Sequence, residues 1–418
     1  MNRNRWFGVL GALLVLWPAA CKFPANKKNW KMSEVTKQCT EGSYGYDVAF
    51  FAEKNIETIE LKDEASKACI LVVPGYQGRV MTSTANGNEG ISYGWINHKL
   101  INSGEISSQF NPVGGEERFW LGPEGGPFSI YFRGGKEQVY SNWQVPPLLD
   151  TEPFEVISRD RAQVTFGKKG ILTNASGTEF RLGIERKVSL LSSAEFASWL
   201  KVDIPGTLNG VAYQTENKIV NEGNRAWTKE GGLLSIWLLG MFNPSPTTTV
   251  FIPYRQEGDG IVVNDNYFGK VPSDRLVVEE GTIYFKIDGK YRSKIGIPPG
   301  RAMNLCGSFD SEKNILTLLW CSLPQGPAEY VNSNWGEQEN PFDGDVINSY
   351  NDGPVDDGSI MGPFYEIETS SPAVELAPGE AITHTQRVAH IQGDKAELAK
   401  IVEQLFGLNL DEISSRFR

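Results

Sequence analysis

The chain has 418 residues, with 40 basic and 51 acidic side chains and a formal charge of −11. It is too long for one small core but within reach of a single large all-β domain. No basic run of useful length occurs, which argues against a nucleic-acid partner. A hydrophobic content of 40% with 11 tryptophans excludes a disordered chain.

Residues 1–20 read as a secretory signal peptide: Arg3 and Arg5, an apolar run over residues 7–17, then Pro18, Ala19 and Ala20 before Cys21. The apolar run is shorter than the roughly 18 residues of a membrane span. Cysteine after two alanines resembles a bacterial lipobox, with Pro18 where leucine is usual, so Cys21 is the expected lipidation site. Residues 21–40 then form a tether, polar and Lys-rich over 22–31, and residues 41–418 a single domain. The expectation is an exported protein, lipid-anchored to a Gram-negative membrane on its periplasmic or outer-surface side. Removing residues 1–20 leaves a formal charge of −13, which suits neutral sugars or cationic groups better than anionic polymers.

Short β-prone runs begin at residues 43–51 and 56–61, and residues 68–74 are continuously apolar, as in a core strand. Extended segments are expected at 79–83 and 128–132, and a hairpin at 155–166. Over 180–191 the period-2 pattern is clear: Phe180, Leu182, Ile184, Arg186, Val188 and Leu190 share one face. Arg186 therefore points to the apolar side, where its charge needs a buried partner or a polar cleft. Further strands follow at 211–220, 233–239, 247–254, 275–288, 302–307, 315–321, 364–369 and 381–391. Such spacing without alternating helices indicates an antiparallel sandwich or barrel. Only the tail looks helical, with Asp394 and Glu397 as caps before Leu398, Ile401, Val402 and Leu405.

Residues 114–126, GGEERFWLGPEGG, concentrate chemistry. Paired glycines let the backbone turn or approach a ligand closely. Glu116, Glu124 and Arg118 can hydrogen-bond hydroxyls beside the indole of Trp120, the tools of sugar recognition; a tight turn with an internal Glu–Arg pair would use the same residues. Residues 340–359 contain five aspartates. Asp343, Asp345, Asn348 and Asp352 offer oxygens for calcium, but the spacing is not that of an EF-hand and equally suits turn chemistry. No other cofactor is indicated. Of the remaining cysteines, Cys306 and Cys321 flank a turn signal and could face each other across a hairpin, which an exported compartment would allow to bond.

Residues 74–84 (PGYQGRVMTST), 94–97 (GWIN), 114–126 and the ending FYEIETSSP at 364–372 followed by LAPGE at 376–380 resemble the galactose mutarotase (aldose 1-epimerase) superfamily, within it an exported lipoprotein branch. The resemblance implies an antiparallel β-supersandwich with a short C-terminal helix and a sugar cleft on a concave sheet. It implies Glu368, before Thr369, as the general base and Arg79, after Gly78, as the arginine steadying the ring oxygen. Mutarotases carry a histidine before the Gly-Gly pair and a second in a strand comparable to residues 233–242. Here Val113 occupies the first position and the second strand has no histidine.

A proton donor within reach is a requirement of ring opening. The remaining candidates are Glu124 or Glu116 acting as acid to Glu368, since burial can separate the pKa values of two carboxyls. Such a pair would serve an epimerase, a glycoside hydrolase or a lyase. Without it the cleft simply binds a carbohydrate. Arg79, Asn97, His98, Arg118, Trp120, Trp143, Arg186 and Glu366 are the candidate substrate contacts, with Tyr213 and Trp237 as further stacking rings that equally suit a core.

Overall fold

The computed structural model describes residues 39–417 apart from 64, 259, 356 and 357. The signal peptide, Cys21 and residues 21–38 of the tether lie outside the described residues. Among the described residues 18 strands form three antiparallel sheets, of ten, five and three strands.

The five-stranded sheet runs in the order Ser293–Ile297, Ile347–Asn351, Tyr365–Ser370, Ser235–Phe242, Arg118–Gly122. Its alternation is legible in each strand. Ile295, Ile347, Ile367, Leu238 and Phe119 face inward and are fully or almost fully buried. They meet the inner face of the ten-stranded sheet, to which Phe166, Val188, Tyr213, Val250 and Val388 contribute. The other face of the large sheet is also apolar. Leu316, Leu318, Ala389 and Ile391 carry Leu398, Ile401 and Val402 of the Lys395–Phe406 helix and Leu410 and Ile413 of the Leu410–Ser415 helix. Burying each of those large side chains stabilises the fold by about 1.5–3 kcal/mol. Asp394 caps the first of these helices, its carboxylate accepting from the Ala396 and Glu397 amides.

The strand Glu179–Leu190 keeps the expected face, with Phe180, Leu182, Ile184, Arg186, Val188 and Leu190 all buried. Other expectations are corrected. Residues 43–51 are not extended but lie in the Tyr44–Glu53 helix. Ser43 caps it by accepting from the Tyr46 amide, and Tyr44 and Phe51, seven residues apart, pack on one side against Leu71, Val73 and Met81. Helical spacing and a cap here outweigh the β preference of single aromatic residues. Residues 128–132 form a turn, because the Ser129 amide bonds back to Gly126 O and the Ser129 hydroxyl accepts from the Tyr131 amide. The tail is not the only helical part. Ser193–Leu200 carries a full capping box between Ser192 and Glu195. Cys306 and Cys321 do share a hairpin but are unbonded. The register places Cys306 opposite Leu319, so the two sulfurs sit on different rungs. Burial pushes the Cys321 thiol up to about 12.

The three-stranded sheet (Ile59–Lys62, Cys69–Val73, Arg79–Thr84) joins the smaller sheet through a bridge between Val80 and Glu117. This junction brings Arg79 beside the Gly-Gly pair.

Candidate functional site

Gly114 and Gly115 have φ of +95° and +116°, a region that favours glycine. A Cβ on Gly114 would lie 2.2 Å from the Trp95 carbonyl, and one on Gly115 2.6 Å from the Arg79 side chain. The chain therefore passes close under Arg79 and enters the Arg118–Gly122 strand with a fixed alternation. Glu117 and Phe119 face the interior, while Arg118 and Trp120 face outward.

The register extends that outward face across the sheet. Arg118 lies opposite Leu239, Leu239 opposite Glu368, and Glu368 opposite Asn348. In the next row Glu366 lies opposite Tyr350, and Tyr350 opposite Lys294. Trp120 and Trp237 face each other one rung away. Five strands thus place two carboxylates, two cations and two indoles on one surface.

Loops cover this surface, so its charges are buried. Glu368 is 0% exposed; its Oε2 accepts from Trp237 Nε1 and from Lys294 Nζ, both at 2.9 Å. Arg118 Nη2 donates to Glu366 Oε1 at 3.1 Å, and its guanidinium lies 3.9 Å from the Trp120 ring centroid. Lys294 Nζ sits 5.0 Å from the Trp237 ring and 5.5 Å from that of Tyr267. Such cation–π contacts strengthen when water is excluded. Glu124, half-buried, completes the group: its charge bears on Lys294, Glu368 and Arg118.

Three carboxyl groups against two cations leave one negative charge uncompensated, and burial disfavours it. The consequence falls on Glu366, pushed up to about 8 by burial against the pull of Arg118, with Glu368 adding to the rise. Glu124 is also raised by burial, which Lys294 opposes. Burial would lower Lys294, but Glu368 and then Glu124 hold its ammonium above the ordinary range. The cluster therefore holds a carboxylic proton at neutral pH beside the ion pair of Glu368 and Lys294.

Several polar atoms here are buried without a hydrogen-bond partner among the described residues: Glu368 Oε1, Arg118 Nε and Nη1, Arg79 Nε and Asp150 Oδ1. Arg79 Nη1 donates to Gly114 O at 2.8 Å and Nη2 to Gln77 Oε1 at 3.1 Å. Burial lowers Arg79 to about 9, and the neighbouring Arg118 charge adds to this. Asp150 Oδ2 accepts from Asn111 Nδ2 at 2.7 Å, and burial raises its carboxyl. Unsatisfied buried groups of this kind cost roughly 1–3 kcal/mol each unless something binds them.

The other sequence candidates lie apart. Glu116 turns inward, its carboxylate held by the Ser83 amide and hydroxyl and by His390 Nε2 at 3.3 Å. It shares no partner with Glu368, so it does not stand as the acid of that group. Arg186 is fully buried between the sheets. It donates to Glu117 Oε1 at 2.8 Å and Gly78 O at 3.0 Å, and also to Asn217 Oδ1. Tyr213 is likewise interior. Asn97 caps the His98–Ser103 helix by accepting from the Leu100 amide at 3.0 Å, and His98 Nε2 bonds Asp47 Oδ1 at 2.6 Å. Trp120 and Trp143 are packed among rings rather than open as platforms; the Trp120 indole N–H donates to Leu149 O at 3.1 Å.

The aspartate candidates are engaged within the protein. Asp343 accepts from Asn332, and Asp352 from the Tyr350 hydroxyl and the Gly362 amide. Asp345, pushed up to about 6 by burial, accepts from the Tyr267 hydroxyl, which in turn accepts from Asn348 Nδ2 at 3.1 Å. Among the described residues no three His, Cys, Asp or Glu side chains gather in a way that could hold a metal ion.

Sequence reasoning missed Lys294 and Tyr267. In SKIGI the isoleucines mark the inward face, so Lys294 belongs to the outward one. Nothing in a five-residue strand indicates that loops from elsewhere bury that outward face.

Among solved structures the chain is similar to a protein of Synechocystis (12% identical, covering 81% of this chain and 96% of that one, TM-score 0.47). It is also similar to a galactose mutarotase-like protein from Lactobacillus casei (11% identical, 80% and 100% covered, TM-score 0.47). A third is a galactose mutarotase related enzyme from Lactobacillus acidophilus (8% identical, 81% and 98% covered, TM-score 0.43). Among curated proteins no sequence matches significantly. The match that spans the domain is to a family model over residues 42–417, and the chain belongs to that family of unknown function, DUF6786.

Proposed function

We propose that the outward face of the five-stranded sheet is a carbohydrate-binding cleft in an exported protein tethered by a lipid on Cys21. The observation that carries this is the set of unpartnered buried atoms on one surface: Glu368 Oε1 as acceptor and Arg118 Nε and Nη1 as donors, beside Trp120 and Trp237. A sugar ring presents hydroxyls, which donate and accept, around an apolar edge. It can satisfy both kinds of atom at once, which an apolar ligand or a simple ion cannot. The resemblance of the surrounding motifs to mutarotases supports the same ligand class.

A second reading is favoured by one feature. Glu366 and Glu368 project from alternate positions of one strand, and the first holds a proton near neutral pH while the second pairs with Lys294. An acid and a base side by side suit proton transfer to and from a sugar, as in an epimerase, hydrolase or lyase, with Glu124 as the alternative acid.

The test is calorimetric titration of the protein with a panel of monosaccharides, repeated with Glu368→Gln. Binding that weakens at least tenfold in the variant, with unchanged circular dichroism, is the expected result. Equal affinity in the two proteins would remove Glu368 from the site. A bound sugar that is converted over hours by the wild type and not by Glu368→Gln would make the cleft an active site.

A further inference from the structure

The buried cluster does not end the aromatic surface. Trp237 lies 5.6 Å from Trp120 between ring centroids, and Trp120 6.3 Å from Trp143. From Trp143 the series leaves the interior. Trp335 stacks on it at 6.3 Å and 26°, and Tyr140 at 6.0 Å and 19°. These last two rings are 37% and 58% exposed. The indole N–H of Trp335 acts on the Glu124 carboxyl, so this ring adjoins the charged cluster, while Tyr140 reaches it only through Trp143.

The Trp335 ring is also held in place. Gln138 Oε1 accepts from the Gly126 amide at 2.9 Å and from the Gly336 amide at 2.7 Å, clamping the Trp335 loop to the Gly-rich loop. Gly125 permits this approach, since a Cβ there would sit 2.2 Å from the Asn334 carbonyl. Gln338 Nε2 braces the loop from within, donating to Asn332 O at 3.0 Å and Asn334 O at 2.6 Å. Aromatic faces fixed in advance lose little freedom on binding, which is how rigid recognition surfaces gain affinity.

We infer that the cleft takes a neutral oligosaccharide, its terminal unit at Glu368 and Arg118 and its following units stacked on Trp335 and Tyr140. This rests on the carbohydrate reading of the cleft. A lone monosaccharide would leave the outer rings without a role. Carboxyls outnumber cations in the cluster, which disfavours uronic acid chains by like-charge repulsion. The apolar faces of successive pyranose rings match a line of aromatic faces running outward from a polar pocket.

The experiment is calorimetry with matched probes: glucose against maltotetraose and cellotetraose, mannose against mannotetraose, xylose against xylotetraose. The proteins are the wild type, Trp335→Ala and Tyr140→Ala. At least one tetrasaccharide is expected to bind about tenfold or more tightly than its monosaccharide, and that ratio to collapse toward one in Trp335→Ala and to fall in Tyr140→Ala. A tetrasaccharide no tighter than its monosaccharide, or a ratio intact in both variants, would overturn the inference and leave the cleft reading standing. No binding of any probe would overturn both.

Discussion

Glu117 and Arg118 are neighbours in the chain and have opposite fates. Glu117 faces inward, where Arg186 Nη1 and Gln386 Nε2 donate to its two oxygens at 2.8 and 2.7 Å. The network continues through Gln386 Oε1 to the Thr369 hydroxyl at 2.7 Å and from Thr369 to His384 Nε2 at 2.9 Å. Arg118 faces outward to Glu366, keeping two of its nitrogens unpartnered. Both regions are buried and both are built from arginine, glutamate and their neighbours. In the inner one every side-chain nitrogen and oxygen of the Arg186–Glu117 pair is partnered within the protein, and the pair ties the two sheets together. The outer one is left with open valences, and that difference, not charge content or depth, separates a structural polar layer from a candidate site.

The largest effect is expected from breaking the inner layer. Arg186→Met leaves the Glu117 carboxylate buried without its cation, a loss of about 3–5 kcal/mol. Chemical denaturation should show the midpoint falling with an unchanged slope. Arg118→Met is expected to cost under about 2 kcal/mol, because its partner Glu366, raised to about 8, already holds its proton at neutral pH and is left as a buried neutral carboxyl and not as a buried charge. The same substitution should abolish sugar binding. Equal destabilisation by the two variants would dissolve the distinction between the regions.

pH provides a smaller effect of opposite sign in each region. In the outer cluster the Glu366 carboxyl titrates at about 8 in the folded protein against an ordinary 4.5. The folded state binds more protons across that window, so Glu366 contributes stability that is present below pH 4.5 and lost as pH rises toward 8. In the inner layer burial lowers His384 to about 3 from 6.5. There the unfolded state binds more protons, so the His384 contribution is present above pH 6.5 and lost as pH falls toward 3. Glu366→Gln should flatten the decline on the alkaline side and His384→Gln the decline on the acid side. Thermal unfolding across pH 4 to 9 measures both, and a profile unchanged by either variant would detach it from these groups.

Much of the architecture was legible because period-2 burial repeats from strand to strand. The Phe180–Leu190 alternation even placed Arg186 on the buried side before any partner for it was visible. The site was only half legible. Glu366, Glu368, Arg118 and Trp120 could be gathered from motifs, but which of the two loop carboxylates, Glu116 or Glu124, joined them could not. That choice depends on the left-handed Gly114–Gly115 turn under Arg79, a contact between segments 35 residues apart. Lys294 was invisible for a related reason: a lone lysine in a short strand reads as solvated until distant loops bury it. The Tyr44–Glu53 helix was misread because its aromatic residues have β preference, whereas Ser43 and the packing of Tyr44 and Phe51 decide its form.

The smallest effects are expected at two residues that the sequence offered as ligand contacts and the fold uses locally. Asn97→Ala removes the side chain that accepts from the Leu100 amide, and caps of this kind are worth about 1 kcal/mol. His98→Gln alters a hydrogen bond from a partly exposed ring to the buried Asp47 carboxylate, whose other oxygen accepts from Ser92, and such a bond is worth about 0.5–1.5 kcal/mol. Neither residue shares a hydrogen bond with Arg118, Glu366, Glu368 or Lys294, so neither change should alter sugar affinity measured by calorimetry. His98 is the sharper of the two. It is the histidine nearest in sequence to the Gly-rich loop, where a proton donor for ring opening would be sought. If His98→Gln weakened binding or slowed conversion of a bound sugar as strongly as Glu368→Gln, the acid would have to be sought at His98 and its partner Asp47 and not at Glu366, and the saturated and open regions would no longer divide structure from function.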